Sequence, residues 1–120
     1  MVQETGSIDR DELRADVRTI RSLVTESLFV LNHRDSLTPQ YTHSHLEDLA
    51  RKAQDSADNV GEKQLDEAAI PYQHDFTQLA ERASRSISAA REALTAGRIE
   101  SSASELQGVA DALTGLSDSL

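Results

Sequence analysis

The sequence predicts an all-α fold: an antiparallel four-helix bundle of straight helices joined by short loops. Three observations carry that prediction. Apolar residues recur at steps of three and four through most of the 120 residues, the spacing that lines one face of an α-helix. Aromatic residues make up 3% of the chain, and neither alternating β-branched runs nor an Asn-Gly hairpin turn occurs, so strands have no signal. Capping and stop residues cut the apolar rows into four segments, and two of the connections are short enough to make their neighbours antiparallel.

The first helix opens at Asp9, with Glu12 three residues on as a capping box. Ile8 before the cap and Leu13 inside it suit a hydrophobic staple. Its apolar row is Leu13, Val17, Ile20, Val24, Leu28 and Leu31, and it is expected to end near Arg34. The second opens with Thr38 as N-cap and Pro39 at the first helical position, where a missing N–H is harmless. Its row runs Thr42, Leu46, Leu49, Ala53, Ala57 and Val60, with Gly61 as the stop. Residues 62–70, "EKQLDEAAI", are helix-prone but short, and read as one or two turns of connector before Pro71. The third helix starts near Pro71, carries Tyr72, Phe76, Leu79, Ala83, Ile87, Ala90 and Leu94, and stops at Gly97. The fourth carries Ile99, Ala103, Leu106, Val109 or Ala110, Leu113, Leu116 and Leu120. A strict heptad seam would place Ser27, Ser56, Ser86 and Ser102 in the core. Each is followed by an apolar residue, which favours the straight-helix period of about 3.6 and a compact bundle over a long coiled coil. The organisation expected is a disordered tail over 1–8 and one helical domain over 9–120.

Composition narrows the function. There is no cysteine, which excludes disulfides, thiolate metal sites and cysteine nucleophiles. "MVQETGS" lacks the basic and apolar parts of a secretory signal, and no apolar run approaches the roughly 20 residues of a membrane span; a cytoplasmic protein with no membrane partner is expected. Net charge is −9, from 21 acids against 12 bases, of which only Lys52 and Lys63 are lysine. Few lysines and many carboxylates resemble the composition of haloarchaeal cytoplasmic proteins. In molar salt the Debye length is about 3 Å and carboxylate repulsion is screened. In such a setting an acidic balance does not by itself exclude nucleic acid.

Four constellations are candidates for chemistry or binding. His33, His43 and His45, with Asp35, cluster near the turn between helices one and two and are weak candidates for a metal site. Residues two apart on a helix face away from each other, however, so His43 and His45 chelate together only if that first turn unwinds. Di-iron chemistry lacks its Glu-x-x-His pattern, and no Gly-x-Ser-x-Gly elbow or phosphate-binding loop occurs. Arg10, Arg14, Arg18 and Arg21 share one face of helix one and are weak candidates for nucleic-acid contact. Acids flank them, and few aromatics are present to stack bases, so ion pairs on a solvated face are the plainer account.

The fourth is an apolar excess. "LFVL", residues 28–31, together with Leu23, makes the C-terminal half of helix one apolar nearly all round. The sequence therefore points to a non-catalytic protein–protein interaction or assembly module. It would pair with itself as a homodimer, or dock another protein, through Leu23, Leu28, Phe29 and Val30, with Leu37 and Tyr41 alongside. Gly108 and Gly115, seven apart on helix four, would admit close approach by another helix. The competing account is that connector 62–70 folds over the same face within one chain. A metal-dependent or hydrolytic enzyme and an Arg-face nucleic-acid regulator are the alternatives from other classes. No cofactor is expected.

Overall fold

A computed structural model describes residues 8–120. The described residues are mostly helical: α1 spans Arg10–Asn32, α2 Pro39–Glu62, α3 Ile70–Ala96 and α4 Ile99–Ser119, with a short 3-10 turn at Arg34–Ser36. Among the described residues there is no strand, only a single bridge between Ile8 and Leu65.

The helix starts follow their local chemistry. Asp9 is extended and its carboxylate accepts the Glu12 N–H at 2.8 Å, satisfying one of the donors that a helix start leaves free. Thr38 does the same for Tyr41 at 3.1 Å, with Pro39 opening α2. Gly97 ends α3 at φ 76°, the left-handed conformation that a residue with a Cβ resists.

Three boundaries differ from expectation. α1 ends at Asn32, two residues early, because the His33 N–H turns back to the Phe29 and Val30 carbonyls at 3.0 and 3.3 Å. Gly61 does not stop α2, which continues through Glu62 until Lys63 turns extended. Residues 63–66 are not helical. The Ile8 N–H donates to the Gln64 carbonyl at 3.0 Å and the Asp66 N–H to the Ile8 carbonyl at 2.8 Å, and Ile8 and Leu65 are buried side by side in the core. Ile8 was expected to close a disordered tail; it is instead the first anchored residue, and the rest of that tail, residues 1–7, lies outside the described residues.

α1 packs against α2 and α4, α3 packs against the same two helices, and α1 touches α3 across the middle. Polar links mark which levels meet. Glu26 of α1 meets His45 of α2 at 3.0 Å. Ser84 of α3 donates to the Ala50 carbonyl of α2 at 2.9 Å, and Gln73 to the Val60 carbonyl at 3.1 Å. Arg82 of α3 meets Glu105 of α4 at 3.0 Å. Arg10, at the start of α1, donates to the Ser119 and Leu120 carbonyls at 3.2 and 2.6 Å, where a cation complements the negative end of the α4 dipole.

The core is mostly aliphatic and alanine, with Phe76 its single large ring. Two serines that the straight-helix reading kept out of it are inside. Ser27 is fully buried and Ser86 nearly so. Their hydroxyls are satisfied by the Leu23 carbonyl at 2.8 Å and by Glu105 at 3.3 Å, so neither is an orphaned polar group. Around Ser27 the inner row runs Val24, Ser27, Leu31, and Leu28 sits half-buried at its edge.

Candidate functional site

The apolar half of α1 is largely closed within one chain. Val30, expected on the interaction face, is 2% exposed. It lies one turn after Glu26, on the flank of α1 that meets His45 of α2, so the neighbouring helix covers it. Leu23, Leu28 and Leu37 are half-buried against the core. The connector does not do the covering. Its Leu65 packs beside Ile8, at the other end of α1, because α2 ends where α1 begins.

Two large side chains of the expected set stay out: Phe29 at 56% and Tyr41 at 51% exposure. Each is paired with an imidazole one turn further on. Phe29 stacks on His33 with centroids 4.0 Å apart, and Tyr41 on His45 at 5.4 Å, both near parallel. Stacking at this range adds directional attraction to ring burial. His33 Nδ1 lies 2.9 Å from the Phe29 carbonyl, and His45 Nε2 lies 3.0 Å from Glu26. Two ring–imidazole pairs therefore stand on adjacent helices, held by the Glu26–His45 link. The i,i+4 spacings Phe29–His33 and Tyr41–His45 are visible in the sequence; the Glu26–His45 link between helices is not.

A shallow groove runs along the outer face of α1 beside Phe29, lined by Arg18, Arg21, Ser22, Thr25 and Glu26. Of the four helix-one arginines, two are engaged elsewhere. Arg10 caps α4 and lies 5.3 Å from the Tyr72 ring, and Arg14 pairs with Asp11 at 3.0 Å. Arg18 and Arg21 have no carboxylate within ion-pair distance among the described residues. The four-arginine stripe is thus reduced to two cations beside an exposed ring, too little for a backbone-tracking surface.

The histidines separate. His33 is against Phe29 and His45 against Glu26. His43, two residues from His45, falls on the opposite flank of α2 and lines a cleft with Leu94 and Thr95 of α3. Asp35 sits on the exposed 3-10 turn. Among the described residues no group of three His, Asp or Glu side chains converges to hold a metal ion. His74, at the start of α3, is remote from all of them.

No known protein family, no curated protein and no solved structure matches the chain.

Gly108 and Gly115 belong to a different surface. A Cβ at Gly108 would meet the Arg82 guanidinium of α3 at 3.7 Å, and one at Gly115 would meet nothing. Both lie on α4 beside α3, away from Phe29. No helix among the described residues is long and apolar enough to cross a membrane.

Proposed function

We propose that this chain is a non-catalytic protein-interaction module of a salt-adapted cytoplasm, built as an antiparallel four-helix bundle, which docks another protein surface on the outer face of α1 and the adjoining edge of α2. The residue pairs that link α2 to α3 descend on one helix as they rise on the other, which supports the antiparallel arrangement. The observation that carries the docking reading is the exposure of Phe29 and Tyr41 on neighbouring helices. Each ring is held in place by a stacked imidazole, and the two uncommitted cations Arg18 and Arg21 line the same groove on the N-terminal side of Phe29. Preorganised aromatic side chains lose little entropy on burial and are enriched among residues that dominate interface energy. A docked surface would combine an apolar patch with carboxylates opposite the two arginines.

A photoactivatable cross-linking residue placed at Phe29 tests this in the full chain, expressed in a high-salt host. The expected outcome is a discrete cross-linked protein species at position 29 and none at Asp58, an exposed site on α2. Absence of any discrete adduct at Phe29 would remove the reading.

A further inference from the structure

The outer face of α1 has a symmetry of its own. At 3.6 residues per turn, Asp11, Ala15, Arg18, Ser22, Glu26, Phe29 and His33 fall within one narrow outward strip. All but Arg18 and Glu26 lie within about 20° of the direction set by Ser22, and these two diverge by about 40° to opposite sides. Ser22 is exposed, as are Asp11, Ala15, Arg18, Glu26, Phe29 and His33. Counting outward from Ser22 in both directions, residues at equal distance are complementary. Arg18 answers Glu26. Ala15, a small side chain, answers Phe29, a large one. Asp11 answers His33. Thr19 and Thr25 complete the set on the flanks.

We infer that the partner at this face is a second copy of the chain, with the two α1 helices packed antiparallel about a two-fold axis at Ser22. This rests on the docking reading above and names its occupant. An antiparallel pair related by a two-fold brings residue i of one chain opposite residue 44 − i of the other, so one patch serves both partners. Each Arg18 then meets the partner copy's Glu26 and each Phe29 covers the partner copy's Ala15; each His33 meets the partner copy's Asp11. Glu26 gives one oxygen to His45 and keeps the other for this contact. Asp11 pairs with Arg14 through one oxygen, and its side chain is 86% exposed. Ser22 at the crossing point allows the close approach that a larger side chain would prevent. The contact, about 33 Å long and ~10 Å wide, falls short of the roughly 1,200 Å² at which standard specific interfaces begin. The dimer is accordingly weak and concentration-dependent.

The test exchanges the charges. At a salt concentration where circular dichroism shows the chains folded, sedimentation of wild type up to several hundred micromolar should show a monomer–dimer equilibrium. Arg18→Glu and Glu26→Arg should each weaken it at least tenfold. Mixed in equal amounts, the two variants restore both pairs in the antiparallel register, and the mixture should associate at least tenfold more tightly than either alone. A second variant reads geometry. Helices packed about 8–10 Å apart, with a Cα radius of about 2.3 Å, leave facing Cα atoms roughly 4–5 Å apart, within disulfide reach. The chain has no cysteine, so Ser22→Cys should form an intermolecular disulfide under mild oxidation, and Asp58→Cys should not. A wild type that stays monomeric, a mixture no tighter than its components, or equal oxidation at both positions overturns the inference. If the Phe29 adduct then proves to be a different protein, the docking reading stands without the second copy; if no adduct forms, both fall.

Discussion

Single residues decide where this fold departs from its periodicity. Ser27 is the clearest case. A hydroxyl reads as solvent-facing on a hydropathy pattern, yet within a helix a serine can return its hydrogen bond to the carbonyl four residues back. Ser27 does so and is buried at no hydrogen-bonding cost, which displaces Leu28 to the rim and leaves Phe29 outside. The exposed ring at the candidate site was therefore legible as part of an apolar excess. Its being the one large apolar side chain of α1 left exposed was not, because that depends on which flank α2 covers. Asp16 shows the same dependence on neighbours. Its carboxyl is held above its usual value of 3.8, chiefly by burial and next by the charge of Glu12, with Lys63 partly offsetting both. A carboxyl with a raised folded-state pKa penalises folding while ionised and stops doing so once protonated. Asp16→Asn should therefore stabilise the chain at neutral pH in urea melts. That advantage over wild type should shrink as pH falls through the raised pKa and vanish near and below 3.8. An advantage that persists unchanged to acid pH would mean that the gain comes from helix propensity or packing, not from the charge.

Two helix starts and the stop of α3 were legible because their signals are local. Asp9 with Glu12, Thr38 with Pro39, and Gly97 each act on backbone groups within four residues, and no tertiary contact is needed to place them. The connector was not legible. "EKQLDEAAI" has good helix formers, but its Leu65 and Ala69 are worth more in the core, at 5% and 0% exposure, than as one exposed turn. Short helices are marginal in water without such packing. Residues 63–66 thus go extended, and the backbone of Ile8 satisfies two of their hydrogen-bonding groups. That pairing joins positions far apart in sequence, which no periodicity reports. It also makes the connector a tie between the start of α1 and the end of α2. Leu65→Ala should cost about 2–5 kcal/mol, the range for truncating a buried leucine, read from chemical denaturation. The Asp66 amide, which donates to the Ile8 carbonyl, should lose hydrogen-exchange protection out of proportion to mid-helix amides. If protection falls uniformly instead, Leu65 is only core filling and the bridge follows the helices passively.

At the scale of the whole molecule the dominant fact is charge. A net −9 is spread over a body measuring 56 × 24 × 18 Å, so a Debye length of about 30 Å at 0.01 M salt lets most carboxylates feel one another, while about 3 Å at 1 M leaves only contact pairs. The side-chain ion pairs are at the surface, such as Arg14–Asp11, Arg82–Glu105 and Lys52–Asp48, and exposed pairs of this kind contribute little and weaken with salt. Net repulsion and local attraction therefore respond to salt in opposite directions, and the excess of acids makes repulsion the larger response. The melting temperature should rise steeply between about 0.01 and 0.3 M potassium chloride and level off toward 1 M as screening saturates. Replacing the exposed Asp55 and Glu67 by lysine changes the net charge from −9 to −5, two units per site. This double variant should melt higher at low salt, by roughly 4 °C for each 1 kcal/mol of repulsion relieved, and its curve should be flatter. A curve that is flat or falling at low salt, or one that the lysine variant leaves unchanged, would show that repulsion does not limit the fold. The acidic composition would then have no stability role that salt relieves. A rise that continues undiminished beyond 1 M would instead assign the effect to salt exclusion acting on the alanine-rich core, since screening is spent by then.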